Sequence, residues 1–304
     1  MKTVILGGTG LIGGSIQRIL SDETSLITPS RSEIDLTNSE FLLNYLRSVN
    51  PDLVINAAGA VAGIQGNIDH PAELLLQNVE ITVNVINVCA KLRIPNYIQF
   101  ASACVYPIQE NRPSTLADLG NGPIEKTSES YAYSKILAIE AVKAVRKQYR
   151  LNWTTLIPSN IYGPNDWNHG SGGHLISMLT SRFIDAKKAN LSEVEVWGDG
   201  KSRRNLLHVD DLALAVNFLL KASTSWDAIY NVCGNEEFTI REIADIIKTK
   251  TAYSGKIEFD SRRPNGARRK ILDDTAIRSI GWKPIIGLES GIENYILKFK
   301  DSFK

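Results

Sequence analysis

Thr3-Val4-Ile5-Leu6-Gly7-Gly8-Thr9-Gly10-Leu11-Ile12-Gly13 decides the fold of this chain. A short β-favouring run enters a glycine-rich turn, and an amphipathic stretch, 11–20, follows at once. Glycines allow a tight turn and close backbone approach, and the helix behind them offers unpaired amides to a pyrophosphate. Strand, turn and helix in this order predict dinucleotide binding by Gly7, Gly10, Leu11, Ile12 and Gly13.

The alternation continues outward. Strand-like runs are expected at 25–28, 53–57, 97–101 and 153–157, with helical patterns at 39–48, 72–92 and 131–149. Such alternation predicts an α/β fold, a doubly wound parallel (Rossmann) sheet whose ligands sit at the carboxyl ends of its strands. After Pro164 the pattern changes to an Asn- and Gly-rich loop, 165–173. Segments 207–211 and 229–233 read as strand-edge pieces returning to the sheet, and the tail reads as a smaller α/β substrate-binding cap. The expected division is 1–164 plus about 205–235 for the dinucleotide, and about 165–204 plus 236–304 for the substrate.

Composition narrows the function. The chain has 304 residues, 43% of them hydrophobic, and a formal charge of +1 with no basic block. That predicts a large core and no nucleic-acid or membrane partner. The first strand begins at Thr3 with no signal-peptide pattern before it, and Cys89, Cys104 and Cys233 form no CxxC spacing. A cytoplasmic protein without disulfides or a bound metal is expected.

Asn56-Ala57-Ala58-Gly59 ends the third strand in small residues, leaving room for a cofactor. The second strand ends in Thr28-Pro29-Ser30-Arg31, without the carboxylate that accepts from an NAD ribose. Ser30 and Arg31 suit a 2′-phosphate, so NADP is expected, with Asp35 near the adenine.

Two further segments carry chemistry. Ala101-Ser102-Ala103-Cys104 ends the fourth strand, and a strand's period of two would point the Ser102 hydroxyl and Cys104 thiol to one side. Tyr131 and Lys135 stand four apart on a helix, sharing one face, whereas Tyr133 turns away and reads as packing. Tyr131 can give a proton to a carbonyl oxygen that Ser102 polarises, with the Lys135 ammonium expected to lower the phenol's pKa. Reduction alone needs no thiol. Cys104 can act as a base on carbon beside a ketone, and inversion then needs an acid on the opposite face, for which His174 is the candidate. His208 reads as a structural hinge and His70 and His169 as loop residues, while Cys89 and Cys233 read as small buried groups.

These residues together resemble the extended short-chain dehydrogenase/reductases and, within them, the branch typified by GDP-L-fucose synthase. The likeness runs nearly end to end and includes Ser102–Pro107, Tyr131/Lys135, Pro158–Pro164, Gly173-His174, Val196-Trp197-Gly198, Arg204, 207–211 and 264–270. The resemblance implies 3,5-epimerisation followed by 4-keto reduction of a nucleotide-diphospho-4-keto-6-deoxy sugar, GDP-4-keto-6-deoxymannose first. It implies catalysis by Ser102, Cys104, Tyr131, Lys135 and His174. Substrate contacts would come from Ser102, Asn160, Arg182, Trp197, Arg204 and Lys270. Leu36, Asn78, Pro158, Asn160, Ile161 and His174 would join the NADP site, and the helices over 72–92 and 131–149 would pair in a homodimer. Pro29, Ala62 and the loop 165–173 depart from the usual pattern, so a related deoxyhexose or heptose nucleotide stays open. A plain 4-epimerase holding NAD tightly is the enzymatic alternative, and a dinucleotide-sensing protein the non-catalytic one.

Overall fold

The computed structural model of the chain describes residues 1–21, 25–166, 173–222, 225–263 and 267–301. The first half alternates strand and helix: β1 (Lys2–Leu6), α1 (Leu11–Leu20), β2 (Ser25–Ile27), α2 (Ser39–Val49), β3 (Leu53–Asn56), α3 (Ile64–Asp69), α4 (Pro71–Lys91), β4 (Asn96–Phe100), α5 (Glu129–Tyr149) and β5 (Asn152–Pro158). The second half adds β6 (Asn160–Tyr162), α6 (Leu175–Lys188), β7 (Glu193–Trp197), β8 (Arg203–His208), α7 (Val209–Lys221), β9 (Ile229–Val232), β10 (Glu237–Thr239), α8 (Ile240–Thr251), β11 (Lys256–Asp260), β12 (Arg269–Lys270), α9 (Thr275–Ser279) and α10 (Leu288–Asp301).

The main sheet is parallel, in the order β2-β1-β3-β4-β5-β9. Its central strands are buried on both faces, so Val4-Ile5-Leu6 and Leu53-Val54-Ile55 are apolar without alternation. One face packs on α1 and α7 through Ile16, Leu20, Leu212 and Val216, and the other on α2, α4 and α5 through Leu42, Leu46, Val85 and Val142. Local signals set several boundaries. The Asn38 side chain accepts from Phe41 N at the start of α2, and Asn50 closes that helix in the left-handed region. A second apolar core joins α6, β7, α8 and α10 through Phe183, Val196, Ile243, Ile247 and Tyr295.

Segment 207–211 departs from its expected form. Leu207 and His208 end β8, which pairs with β6, β10 and β12 in a smaller sheet, and Val209 already opens α7. His208 accepts from Asp210 N through Nδ1, which caps the helix and ends the strand at that point. His208 is thus a structural corner, as its sequence setting suggested. His169 and 264–266 lie outside the described residues. Among those residues, no helix is long and apolar enough to cross a membrane.

Candidate active site

The carboxyl ends of β1, β3, β4 and β5 make one edge, because Leu6, Asn56, Gln99 and Thr155 lie in a single register row. Gly7 leaves β1 with φ of +81°, where a side chain would be strained and its Cβ would stand 2.8 Å from the Ala57 carbonyl carbon. A Cβ on Gly13 would come within 2.2 Å of Gly7 O, so this helix start packs directly on the turn. Gly10 caps α1 without a side-chain bond, and the first turn carries no acid. The helix therefore presents its leading amides and positive end to an anion over Gly7–Gly13, which fits a dinucleotide pyrophosphate.

Ala57, Ala58 and Gly59 continue the cradle. Asn78 is fully engaged: its Nδ2 donates to Ala60 O and Leu74 O, and its Oδ1 accepts from Ala60 N at 3.1 Å. It braces this wall from α4 rather than presenting a free amide. Past β2, Glu33 accepts from both Ser30 N and Ser30 Oγ, at 2.8 and 2.7 Å. The sequence offered no acid at the strand's end, but the turn folds Glu33 back onto it. Arg31 is exposed beside this pair, and Asp35, also exposed, accepts from Thr37 N and Oγ1. Leu36 packs against the core on that side and its carbonyl accepts from Asn84. Pro158 closes β5 and is buried, while Asn160 and Ile161 open β6 half-buried.

Ser102 and Cys104 are not held by a strand's alternation. The strand ends at Phe100, Ser102 caps a short 3₁₀ turn over Ala103–Val105, and its Oγ accepts from Cys104 N at 3.5 Å. The turn, rather than strand alternation, sets the Ser102 hydroxyl against the Cys104 amide. Cys104, Ile124 and Ala132 form a small apolar cluster against which Tyr131 packs. Lys135 is buried on the same helix, its Nζ 5.4 Å from the centre of the Tyr131 ring and 3.3 Å from where a Cβ on Gly59 would stand.

Burial dominates the protonation of this cluster. It pushes the Lys135 ammonium down to about 8, against a smaller opposing pull from Cys104. It pushes the Tyr131 phenol up, and the Cys104 charge adds to that rise. No lowering by Lys135 stands against that rise, so burial rather than the neighbouring ammonium sets the phenol. Burial also raises the Cys104 thiol, while Lys270, Ser102 and Lys135, in that order, pull it back.

Glu125 was not singled out in the sequence. Its Oε2 accepts from Lys270 Nζ at 2.9 Å, and its Oε1 accepts from Ala267 N and Thr127 Oγ1. Arg204, nearly buried, bears on the same carboxylate. His174 belongs to a second constellation. It stands just before α6, with its Nδ1 2.9 Å from Oδ1 of the buried Asp166. A third sets two guanidiniums over Trp197, Arg182 at 5.5 Å and Arg263 at 5.2 Å from its ring centre. Tyr133 does not pack but is 52% exposed, because the outer face of α5 has no cover within the chain. Glu125, Asp166 and Arg263 gave no local sequence signal; only folding brings 125 next to 270.

Fold, glycine cradle and Ser–Tyr–Lys cluster together define an NAD(P)-dependent oxidoreductase/epimerase. The chain belongs to the NAD dependent epimerase/dehydratase family, which it matches over residues 3–233. It is 36% identical to putative GDP-L-fucose synthase 2 of Arabidopsis thaliana over 96% of this chain and 89% of that one. It is 33% identical to GDP-L-fucose synthase of Escherichia coli K12, with 100% and 98% of the two chains covered. A crystal structure of a GDP-6-OMe-4-keto-L-xylo-heptose reductase from C. jejuni superposes with a TM-score of 0.91 at 24% identity, covering 99% of this chain and 98% of the other, a likeness of fold.

Proposed function

We propose that this chain is an NADP-dependent epimerase-reductase that converts GDP-4-keto-6-deoxymannose to GDP-L-fucose, as the names of its relatives suggest. In this reading, Cys104 takes a proton from carbon beside the ketone, and the electron pair moves onto the carbonyl oxygen, held by Ser102 and Tyr131. His174 returns a proton to carbon from the opposite face, which inverts the centre. Bound NADPH supplies the hydride for the reduction. Tyr131 then gives its proton to the C4 oxygen, and Lys135 orients the phenol from the next helical turn. Arg182, Trp197 and Arg204 serve the GDP moiety, together with Lys270 and Asn160, since cations suit a diphosphate and an indole a purine.

The observation that carries this reading is the Cys104 thiol packed against Tyr131, with Lys270 as the strongest charge favouring its thiolate. A ketoreductase alone gains nothing from that arrangement. We read the division at 1–164 plus 205–235 as the cofactor part and the remainder as the sugar part. Leu76 and Val83 on α4, with Tyr133 on α5, are exposed on the helices expected to pair, which favours a homodimer. A cytoplasmic location follows from a substrate and cofactor of that compartment.

Mixing the protein with GDP-4-keto-6-deoxymannose and NADPH tests the reading. It predicts one NADPH oxidised for each GDP-L-fucose formed. Redox-neutral turnover of a nucleotide hexose with retained NAD would instead establish a 4-epimerase, and cofactor binding without any turnover a sensor.

A further inference from the structure

Asn165 and Asp166, which follow β6, are pinned on two sides. Asn165 has φ of +74°, and its Nδ2 lies 2.5 Å from where a Cβ on Gly14 would stand, so it sits against the first turn of α1. The Asp166 carbonyl accepts from the Tyr295 hydroxyl of α10 at 2.8 Å. Between these anchors the Asp166 side chain is 2% exposed, and its one hydrogen-bond partner among the described residues is His174, Oδ2 having none. A buried carboxylate without such a partner is costly, so the pairing holds both groups in place.

We propose that Asp166 is a positioning residue for His174: it accepts the Nδ1 hydrogen, fixes the ring, and leaves Nε2 as the atom that exchanges a proton with the sugar. The proposal rests on the reading of His174 as the epimerisation acid. A histidine at a helix start faces the positive end of the helix dipole, which opposes a charged ring. Burial opposes it as well, yet the hydrogen bond and charge of Asp166 outweigh burial, and the His174 pKa is raised. The first turn of α6 carries no acid, and α10 contributes the Tyr295 phenol, which donates to the Asp166 backbone carbonyl. Asp166 is thus the anion that keeps the imidazolium available toward neutral pH. Asn165, the neighbour of Asp166, touches the first turn of α1.

Asp166→Asn tests this by the pH profile of deuterium uptake at carbon in D₂O. Raised pKa means that His174 stays protonated to higher pH, so losing the carboxylate moves the alkaline limb down. A shift of about one pH unit and a roughly tenfold or greater fall in uptake at pH 8 are expected, with KM for NADPH unchanged and partial rescue by Asp166→Glu. An unmoved alkaline limb would overturn the proposal. Where Asp166→Asn does not fold, ¹⁵N spectra of the wild-type protein decide. A neutral ring protonated at Nδ1 and a pKa above the ordinary 6.5 are expected, and an Nε2-protonated ring would refute the pairing. These spectra need no turnover, so they separate the pairing from the epimerase reading, which falls if the wild type takes up no deuterium.

Discussion

Lys270 donates to Glu125 at 2.9 Å, with the two side chains 22% and 14% exposed and 145 residues apart in the chain. The ion pair stands beside Cys104, and Lys270 is the strongest influence holding that thiol's pKa down against burial. Its charge is divided between a carboxylate and a thiol. Removing either partner of the ion pair should therefore move the thiol in opposite directions. Lys270→Met raises the thiol further, and Glu125→Gln leaves the cation unopposed and lowers it. The pH at which iodoacetamide begins to alkylate Cys104 should rise by about half to one unit in the first variant and fall similarly in the second. Cys89 and Cys233 are buried, and a Cys104→Ala control subtracts them.

Cofactor choice turns on the β2 turn. Arg31 is exposed there, while Glu33 occupies the Ser30 amide and hydroxyl that a 2′-phosphate would use. Arg31→Ala should raise KM for NADPH about tenfold and leave NADH nearly unchanged. Glu33→Gln removes a carboxylate facing the phosphate and should lower KM for NADPH while weakening NADH. Steady-state kinetics with both cofactors check the pair, and equal effects on both would remove this turn from the discrimination.

The outer face of α4 and α5 predicts assembly. Leu76 is 65% exposed and Val83 46%, two helical turns apart on one face of α4. Leu76→Glu places a charge in the contact and should release monomers while changing the stability of the single chain by no more than about 0.5 kcal/mol, since the site is exposed there. Light scattering should then report half the wild-type mass. A wild-type monomer at micromolar concentration would contradict the dimer.

Much of the fold was legible because a parallel sheet repeats one local signal. Apolar runs such as Val4–Leu6 bounded by glycine or small residues can only be central strands when helices follow each. The helix 11–20 matched to the residue because Gly10 and Ser21 bracket an apolar stripe. Segment 207–211 failed because a histidine side chain, not a glycine or proline, caps the next helix there. The reacting groups were legible as residue types, but not their environment. Whether Lys135 lowers Tyr131 depends on how deeply both are buried, and the spacing of four carries no information on burial. Asp166 and Glu125 were silent for a related reason. Each acquires its role from a partner, His174 or Lys270, that only the folded chain brings within 3 Å.

In the proposed function one enzyme moves protons on carbon as well as reducing a ketone. Mass spectrometry of the product formed in D₂O tests it most directly, with wild type compared against Cys104→Ser. A hydroxyl is far less acidic than a thiol, so the variant loses its base and keeps Ser102, Tyr131 and Lys135. The wild-type product should carry deuterium at the carbons flanking C4. In the variant, that uptake should fall by about 10²–10⁴-fold while reduction of the unepimerised ketosugar continues. A wild-type product that is reduced but carries no carbon-bound deuterium would contradict epimerisation and leave a simple 4-ketoreductase.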